Sequence, residues 1–254
     1  MNTNHHHILH FLYRFRFLTN THLQTFLQHK YHHRISLWLS ELTRQKYINK
    51  KSDSHTITSP AIYSLTSKAR AFLKKESRDT NLNMNNLDQI WRTPKLSDQF
   101  QQHCLCIADI CCSLMNLTQK TEARLLFRTK NDLSGMEHLI QPLPDAFFSI
   151  TEKSEAKKFY LLDVFDDHAP KIAYTAKLRS YREYFESNEW HDNTEAPFPN
   201  IIFICSDERS QTYVSKQIKY LLNDHSDLCF YLSTWEEIRE KGLNREVLHK
   251  VIVE

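Results

Sequence analysis

The amino-terminal part of the chain alternates apolar runs with polar breaks. In residues 5–17 the apolar side chains recur at the three- and four-residue intervals of one helix face, which predicts a first helix. The pattern breaks at residues 18–21, where Asn20 or Thr21 can cap a second helix that ends near Leu27. Two helices separated by a four-residue break are therefore expected first.

A third helix is predicted from His33 to Gln45. Ile35, Leu39 and Leu42 fall at i, i+4 and i+7, so that they bury one stripe of that helix. This spacing turns a mixed polar and basic set of side chains away from the core: Ser36, Trp38, Ser40 and Arg44.

Two apolar segments after the third helix flank a polar, charged loop. Tyr47-Ile48 precedes this loop and residues 61–65 (AIYSL) follow it, which predicts a strand, a loop and a strand. Thr66 then caps a helix over SKARAFLKK. Helices followed by a basic hairpin are typical of a winged helix-turn-helix, which presents one helix to a DNA groove. A helical oligomerisation module with the same topology is the alternative.

Residues 77–97 are polar, rich in asparagine and weakly periodic, which predicts a domain junction. We therefore expect a small domain over residues 1–77, a linker over 78–97 and a second domain over 98–254. The apolar segments of the second domain predict the order α-β-β-β-α-β-α-β. This order indicates an α/β domain with a central mixed sheet.

Composition narrows the classes of function. The chain has 254 residues, of which 41% are hydrophobic and 25% charged, as in ordinary globular proteins. It contains no apolar stretch of membrane-spanning length and no signal-peptide pattern, so a cytoplasmic protein without membrane insertion is expected. Its two glycines cannot build a phosphate-cradling loop, which argues against nucleotide-driven motors and Rossmann enzymes.

Charge and cysteines refine this picture. The net charge is +3, with 15 histidines and a basic amino-terminal region, which indicates a polyanionic partner. The six cysteines are expected to be reduced thiols. Four of them lie in the apolar run HCLCIADICC, which favours packing in a helix over metal binding.

Acidic residues interrupt two apolar segments that are predicted to pair as a hairpin. Asp145 opens one segment, Asp163 lies inside the other (FYLLDVF), and Lys177 follows on the next predicted helix. Adjacent strands lie about 4.8 Å apart, so two such carboxylates can share Mg²⁺ or Mn²⁺ and assist phosphodiester cleavage. A buried aspartate requires a metal, a donor or a functional site to offset its desolvation, whereas Asp145 could also be a turn residue after proline.

These residues resemble a nuclease motif. Pro144-Asp145 and Asp163-Val164-Phe165 are similar to the two halves of the PD-(D/E)xK signature, with Phe165 where the signature has lysine; Lys177 is the candidate for a relocated lysine. Over most of its length the chain resembles the replication-relaxation family, which includes MobC-type relaxases. The resembling stretches are residues 13–19, 60–66, 103–109, 144–148 and 177–184.

The resemblance implies a winged helix-turn-helix followed by a restriction-endonuclease-like domain. It implies a protein that acts at a plasmid or mobile-element origin of replication or transfer, binds double-stranded DNA there and, in relaxase members, nicks one strand. The turn before Tyr47, usually glycine in the family, has Lys46 here. Relaxosome or replication proteins and a second copy of the chain are further expected partners.

The expected activity is Mg²⁺-dependent nicking, with Asp145 and Asp163 as metal ligands and Lys177 stabilising charge. The alternatives are a non-catalytic replication or transcription regulator with a degenerate nuclease-like domain, and an adaptor without DNA affinity. The expected DNA contacts are Arg34, Ser36, Trp38, Arg44 and Lys46 around the third helix, and Lys50, Lys51 and His55 in the wing.

Overall fold

The computed structural model describes residues 2–52, 60–76, 82–90, 96–166, 169–222 and 228–252. The chain is a mixed α/β protein with a three-stranded antiparallel sheet and a six-stranded mixed sheet. It divides into two compact units, Met1–Ala108 and Asp109–Glu254. This division falls inside a long helix, whereas the sequence analysis placed a linker before it, at residues 78–97.

The first unit is mainly helical. Its small sheet has the strand order β1-β3-β2, and both strand pairs are antiparallel. Its elements are α1 (Thr3–Phe15), β1 (Leu18–Thr19), α2 (Asn20–Phe26), α3 (His32–Arg44), β2 (Ile48–Lys51), β3 (Ile62–Leu65), α4 (Ser67–Glu76), α5 (Met84–Asp88) and the first part of α6 (Asp98–Thr121).

The apolar stripe predicted for α3 is confirmed, since Ile35, Leu39 and Leu42 are all fully buried. The strands on either side of the charged loop and the helix α4 are confirmed as well. The α3 side chains that the helical periodicity predicted to be buried are therefore part of the core of this unit.

The segment between α1 and α2 differs from the prediction. It was expected to be a simple break, but Leu18 and Thr19 form a short strand in which Leu18 pairs with Tyr63 of β3. The helix cap is Thr19 rather than Asn20 or Thr21: its Oγ1 accepts from the His22 backbone N–H, and its own N–H donates to His22 Nδ1. Two strand residues are too few to produce a periodic signal, and their pairing depends on β3.

α3 ends in a Schellman turn. The Tyr47 N–H donates to the Leu42 carbonyl oxygen and the Lys46 N–H to that of Thr43, each at 2.9 Å. Lys46 adopts a φ of 61°, the left-handed conformation that this motif requires after the helix. Glycine adopts this conformation without the steric cost that a Cβ atom brings, so Lys46 holds local strain.

Replacing Lys46 with glycine is therefore expected to stabilise the first unit by about 1 kcal/mol, which would raise its melting temperature by about 4 °C. Thermal unfolding followed by circular dichroism measures this. The matched control is Lys46→Ala, which removes the same charge and keeps the Cβ atom. If the melting temperature of the glycine variant is no higher than that of the alanine variant, the conclusion that Lys46 is strained is wrong.

The second unit is built on the six-stranded sheet, of order β4-β5-β6-β7-β8-β9. The β6–β7 and β7–β8 pairs are parallel and the other pairs are antiparallel. Besides the rest of α6, the elements are β4 (Arg124–Thr129), α7 (Lys130–Leu133), β5 (Ala146–Thr151), β6 (Lys157–Val164), α8 (Lys171–Glu186), α9 (Glu189–Thr194), β7 (Asn200–Cys205), α10 (Glu208–Leu222), β8 (Phe230–Thr234), α11 (Trp235–Lys241) and β9 (His249–Lys250).

The order predicted for the main elements of this unit is confirmed: α6, β4, β5, β6, α8, β7, α10 and β8 follow one another as expected. The short elements α7, α9, α11 and β9 were not predicted. β7 is buried from Ile201 to Cys205, as expected for a central parallel strand that is covered on both faces.

The apolar cysteine run lies in α6, where Cys104, Cys106 and Cys111 are buried, so their predicted packing in a helix is confirmed. Within the part of the chain that the structure describes, no helix combines the length and apolar character needed to span a membrane.

Candidate functional site

The two predicted aspartates lie at one end of the hairpin formed by β5 and β6. Ala146 of β5 pairs with Leu162 of β6, so the same antiparallel register, extended by one residue, sets Asp145 opposite Asp163. The two carboxylates are close enough for the charge of Asp145 to raise the pKa of Asp163. The two acids therefore meet as expected, although Asp145 lies one residue before β5 rather than within a strand.

α8 contributes a lysine and a tyrosine to the same place. Lys177 and Tyr181 are four residues apart, so they lie on one face of the helix, and both are buried. Lys177 Nζ lies 3.2 Å from Asp163 Oδ1, and the Tyr181 hydroxyl donates to Asp163 Oδ2 at 2.5 Å. Both oxygens of Asp163 therefore have a donor from α8.

The other contacts in this cluster tie it to the loop before β5 and to β6. Lys177 Nζ also donates to the Pro142 carbonyl oxygen at 2.6 Å. Asp145 Oδ2 accepts from the Val164 N–H at 2.9 Å, and Lys130 Nζ lies 3.9 Å from Asp145 Oδ1. The cluster thus joins α8, the loop before β5 and the carboxyl end of β6.

Phe165 occupies the position where the nuclease signature has lysine, and it belongs to the apolar core. Its ring stacks on Tyr174 at 4.0 Å between centroids and meets Phe203 edge-on at 5.1 Å. Among the described contacts, the cation that reaches Asp163 is Lys177 of α8 rather than a residue of β6. The structure therefore brings together the three residues predicted to form the site, and adds Tyr181.

Burial controls the electrostatics of the cluster. Desolvation, reinforced by the charge of Asp145, raises the pKa of Asp163 to about 6, although Lys177 and the Tyr181 hydroxyl favour the carboxylate. Burial first, and then the charge of Asp163, raise the pKa of Tyr181 well above its usual value. Tyr181 therefore remains a protonated donor near neutral pH, a state unsuited to a nucleophile.

The donor set does not fit a divalent ion as it stands. Mg²⁺ prefers six oxygen ligands in octahedral geometry, yet both oxygens of Asp163 already accept from Lys177 and Tyr181. Among the described residues, no group of three or more histidine, cysteine, aspartate or glutamate side chains is placed to hold a metal. The ammonium group of Lys177 supplies the positive charge beside Asp163, and the metal remains a prediction.

The predicted DNA contacts cluster around α3 and β2 in the first unit. Arg34, Arg44, Lys46 and Lys50 are exposed. Lys51 is also exposed, but its ammonium pairs with Asp98. The predicted contact His55 lies outside the described residues.

The remaining two predicted contacts have internal partners. Ser36 Oγ accepts from Asn20 Nδ2 at 2.7 Å, which joins α3 to α2. Trp38 is half-buried, and its ring meets His29 edge-on at 5.1 Å between centroids. Arg34 is exposed, whereas Ser36 is half-buried, so Arg34 is the more accessible of these two predicted contacts.

A protein-family model described as Replication-relaxation matches residues 9–201. This chain belongs to the replication-relaxation family. The comparisons found no matching curated protein and no matching solved structure. The family match confirms the resemblance identified in the sequence and connects the chain with replication or relaxation of DNA.

The match places both candidate surfaces within the family region of this replication-relaxation protein. Residues 9–201 include α3, β2 and β3 as well as Asp145, Asp163 and Lys177. α10 and β8 lie beyond the match. Tyr181 is the residue of the cluster that the sequence analysis did not single out; its spacing of four residues from Lys177 was the available signal.

Proposed function

We propose that this replication-relaxation protein binds double-stranded DNA at an origin of replication or transfer through α3 and the β2–β3 hairpin. In this proposal the first unit is a winged helix-turn-helix, and the second unit is a restriction-endonuclease-like domain retained as a non-catalytic scaffold. The observation that carries the proposal is the exposed basic side of α3, next to a hairpin whose first strand is also basic.

The charges around α3 support a polyanionic partner. Its buried stripe fixes which side faces outward, and the outward side carries Arg34 and Arg44, followed by Lys46 and Lys50. The single acid of α3, Glu41, lies 3.5 Å from His5 of α1. Cations of this kind contact phosphates and supply affinity, whereas contacts with base edges supply specificity.

The order of the elements also supports this assignment. Helices α1, α2 and α3 are followed by the antiparallel pair β2–β3, and β1 completes the sheet beside β3. In a winged helix-turn-helix the second helix of the motif enters the major groove and the hairpin lies beside the backbone. α3 and the β2–β3 hairpin take these two roles in our proposal.

The scaffold role of the second unit rests on the internal neutralisation of its acids. Asp163 accepts from Lys177 and Tyr181, both of α8, and the three side chains are buried together. A buried carboxylate with two such partners is satisfied as a structural link between helix and sheet. This favours the regulator that the sequence analysis left as an alternative.

The second candidate is metal-dependent nicking by Asp145, Asp163 and Lys177, with Mg²⁺ or Mn²⁺. It is favoured by the placement of two carboxylates opposite each other with a lysine 3.2 Å from one of them. A perturbed pKa at such a cluster is also frequent in catalytic sites.

A paired assay separates the two candidates. Mobility shifts in EDTA measure binding to duplexes that carry candidate origins, and conversion of supercoiled plasmid to open circle with Mg²⁺ or Mn²⁺ measures nicking. We expect binding without nicking. Nicking that is lost in Asp145→Asn and Asp163→Asn, but kept in the exposed-residue control Asp192→Asn, would establish the second candidate. Failure to bind any duplex would overturn the DNA-binding role.

A further inference from the structure

One side of α10 alternates cations with aromatic rings. Four side chains at i, i+4, i+7 and i+11 lie along this side, while Val214 and Ile218 on the other side are fully buried. We name this set the α10 ridge; it consists of Arg209, Tyr213, Lys216 and Tyr220.

The rings of the ridge are accessible to different degrees. Tyr220 is 82% exposed, the highest fraction among the exposed large apolar side chains that the structure describes. Tyr213 is half-buried because it packs against the core of the second unit, and its hydroxyl lies 3.3 Å from Thr175 Oγ1 of α8. Tyr220, at the end of the ridge after Lys216, is too exposed to contribute much to the core, so it presents a stacking surface to solvent.

Positive charge concentrates along the ridge. Lys171 of α8 places its Nζ 5.0 Å from the centroid of the Tyr213 ring, which adds a third cation beside Arg209 and Lys216. From Ser210 to Leu222 the sequence of α10 contains no acidic residue. The acids at the start of the helix are Glu208 and Asp207, whose carboxylate accepts from the Ser210 N–H.

We propose that the α10 ridge binds single-stranded DNA. Unpaired bases expose faces that can stack on Tyr220 and Tyr213, while the backbone phosphates meet the three cations. In duplex DNA the base faces are stacked on one another, so the tyrosine rings cannot contribute stacking energy to duplex binding. The twelve residues from Arg209 to Tyr220 span about 16 Å of helix, enough for a few nucleotides.

This surface goes beyond the proposed origin binding. It belongs to the other unit and lies after the family match, which ends at residue 201. Initiation of replication opens the duplex locally, so single strands are available at an origin, where the proposed function places this protein. The ridge would hold one strand after opening, independently of the contacts that α3 makes with the duplex.

The test uses the full-length chain and a fluorescein-labelled oligothymidylate, which cannot form a duplex. Fluorescence anisotropy over a series of salt concentrations gives the affinity and the slope of log K against log salt. We expect Tyr220→Ala to weaken binding about tenfold with little change in slope, and Tyr220→Phe to bind as the wild type does. Lys216→Ala should reduce the magnitude of the slope by about 0.7.

The matched control is Lys120→Ala, an exposed lysine of α6, which should change neither quantity. Absence of wild-type binding to the oligothymidylate would overturn the proposal. An affinity of Tyr220→Ala within about twofold of the wild type would overturn it as well. Duplex binding measured on the same samples keeps the two proposals distinct: binding to single strands without binding to duplexes would reject the α3 role and leave the ridge in place.

Discussion

Replacing Lys177 with methionine is expected to lower the free energy of unfolding of the second unit by about 3 kcal/mol near pH 7.5. The change leaves Asp163 buried without the ammonium that lies 3.2 Å from its Oδ1. It also removes the donor to the Pro142 carbonyl oxygen. Methionine retains most of the length and apolar volume of the lysine stem, so the loss reports the charge and the hydrogen bond more than packing.

The loss should shrink in acid. Burial raises the pKa of Asp163 to about 6, above the value of the unfolded chain. A carboxyl group shifted in this direction takes up its proton on folding, so its contribution to stability is complete below about pH 4 and is lost as the pH rises past 6. Near pH 5 Asp163 is largely protonated in the folded protein, so its ion pair with Lys177 contributes less to the free energy of unfolding.

Urea unfolding at both pH values measures the effect. Lys120→Met removes an exposed lysine from the same unit and should change the free energy of unfolding by less than about 0.5 kcal/mol. The double variant Asp163→Asn/Lys177→Met should recover most of the loss, because it removes both members of the pair. An equal loss at the two pH values would contradict the ion pair as its cause.

The same variant tests the metal candidate. Millimolar Mg²⁺ would stabilise Lys177→Met if the freed carboxylates bind the ion, since a ligand that binds only the folded state raises its stability. We expect no Mg²⁺-dependent stabilisation. Stabilisation that disappears on adding Asp145→Asn would instead assign a metal site to the two aspartates.

Removing three cations next to the outward face of α3 is expected to weaken duplex binding on the order of a hundredfold at moderate salt. The variant is Arg44→Ala/Lys46→Ala/Lys50→Ala, at exposed positions. If each side chain contacts one phosphate, the slope of log K against log salt should fall by about 0.9 for each, because fewer counterions are released. Anisotropy titrations with a labelled duplex measure both quantities.

The control removes the same charge from the second unit, as Lys120→Ala/Lys157→Ala/Arg179→Ala, at three exposed positions. It should leave the slope nearly unchanged. Equal effects of the two triple variants would show that net charge, rather than the α3 surface, determines the affinity. Arg34→Ala is the complementary variant: it should change the preference among duplex sequences, since base-edge contacts carry specificity.

Periodicity was sufficient for the long elements. α3 was predictable because one buried stripe recurs at helical spacing, and β7 because a run of apolar residues between polar segments is typical of a buried strand. The meeting of Asp145 and Asp163 was predictable from the paired hairpin, since register follows from alternation and the turn. Each of these patterns extends over several residues that are close together in the sequence, so it can be recognised without the tertiary structure.

The sequence by itself determined the family, the order of the main elements and the candidate acids, because each depends on residues near one another along the chain. Only the tertiary structure decided that Leu18 and Thr19 form a strand, since they are held by β3. Only it decided that Lys177 and Tyr181 occupy both oxygens of Asp163. Those contacts join α8 to β6, and which donor reaches a buried carboxylate depends on packing that no local pattern records.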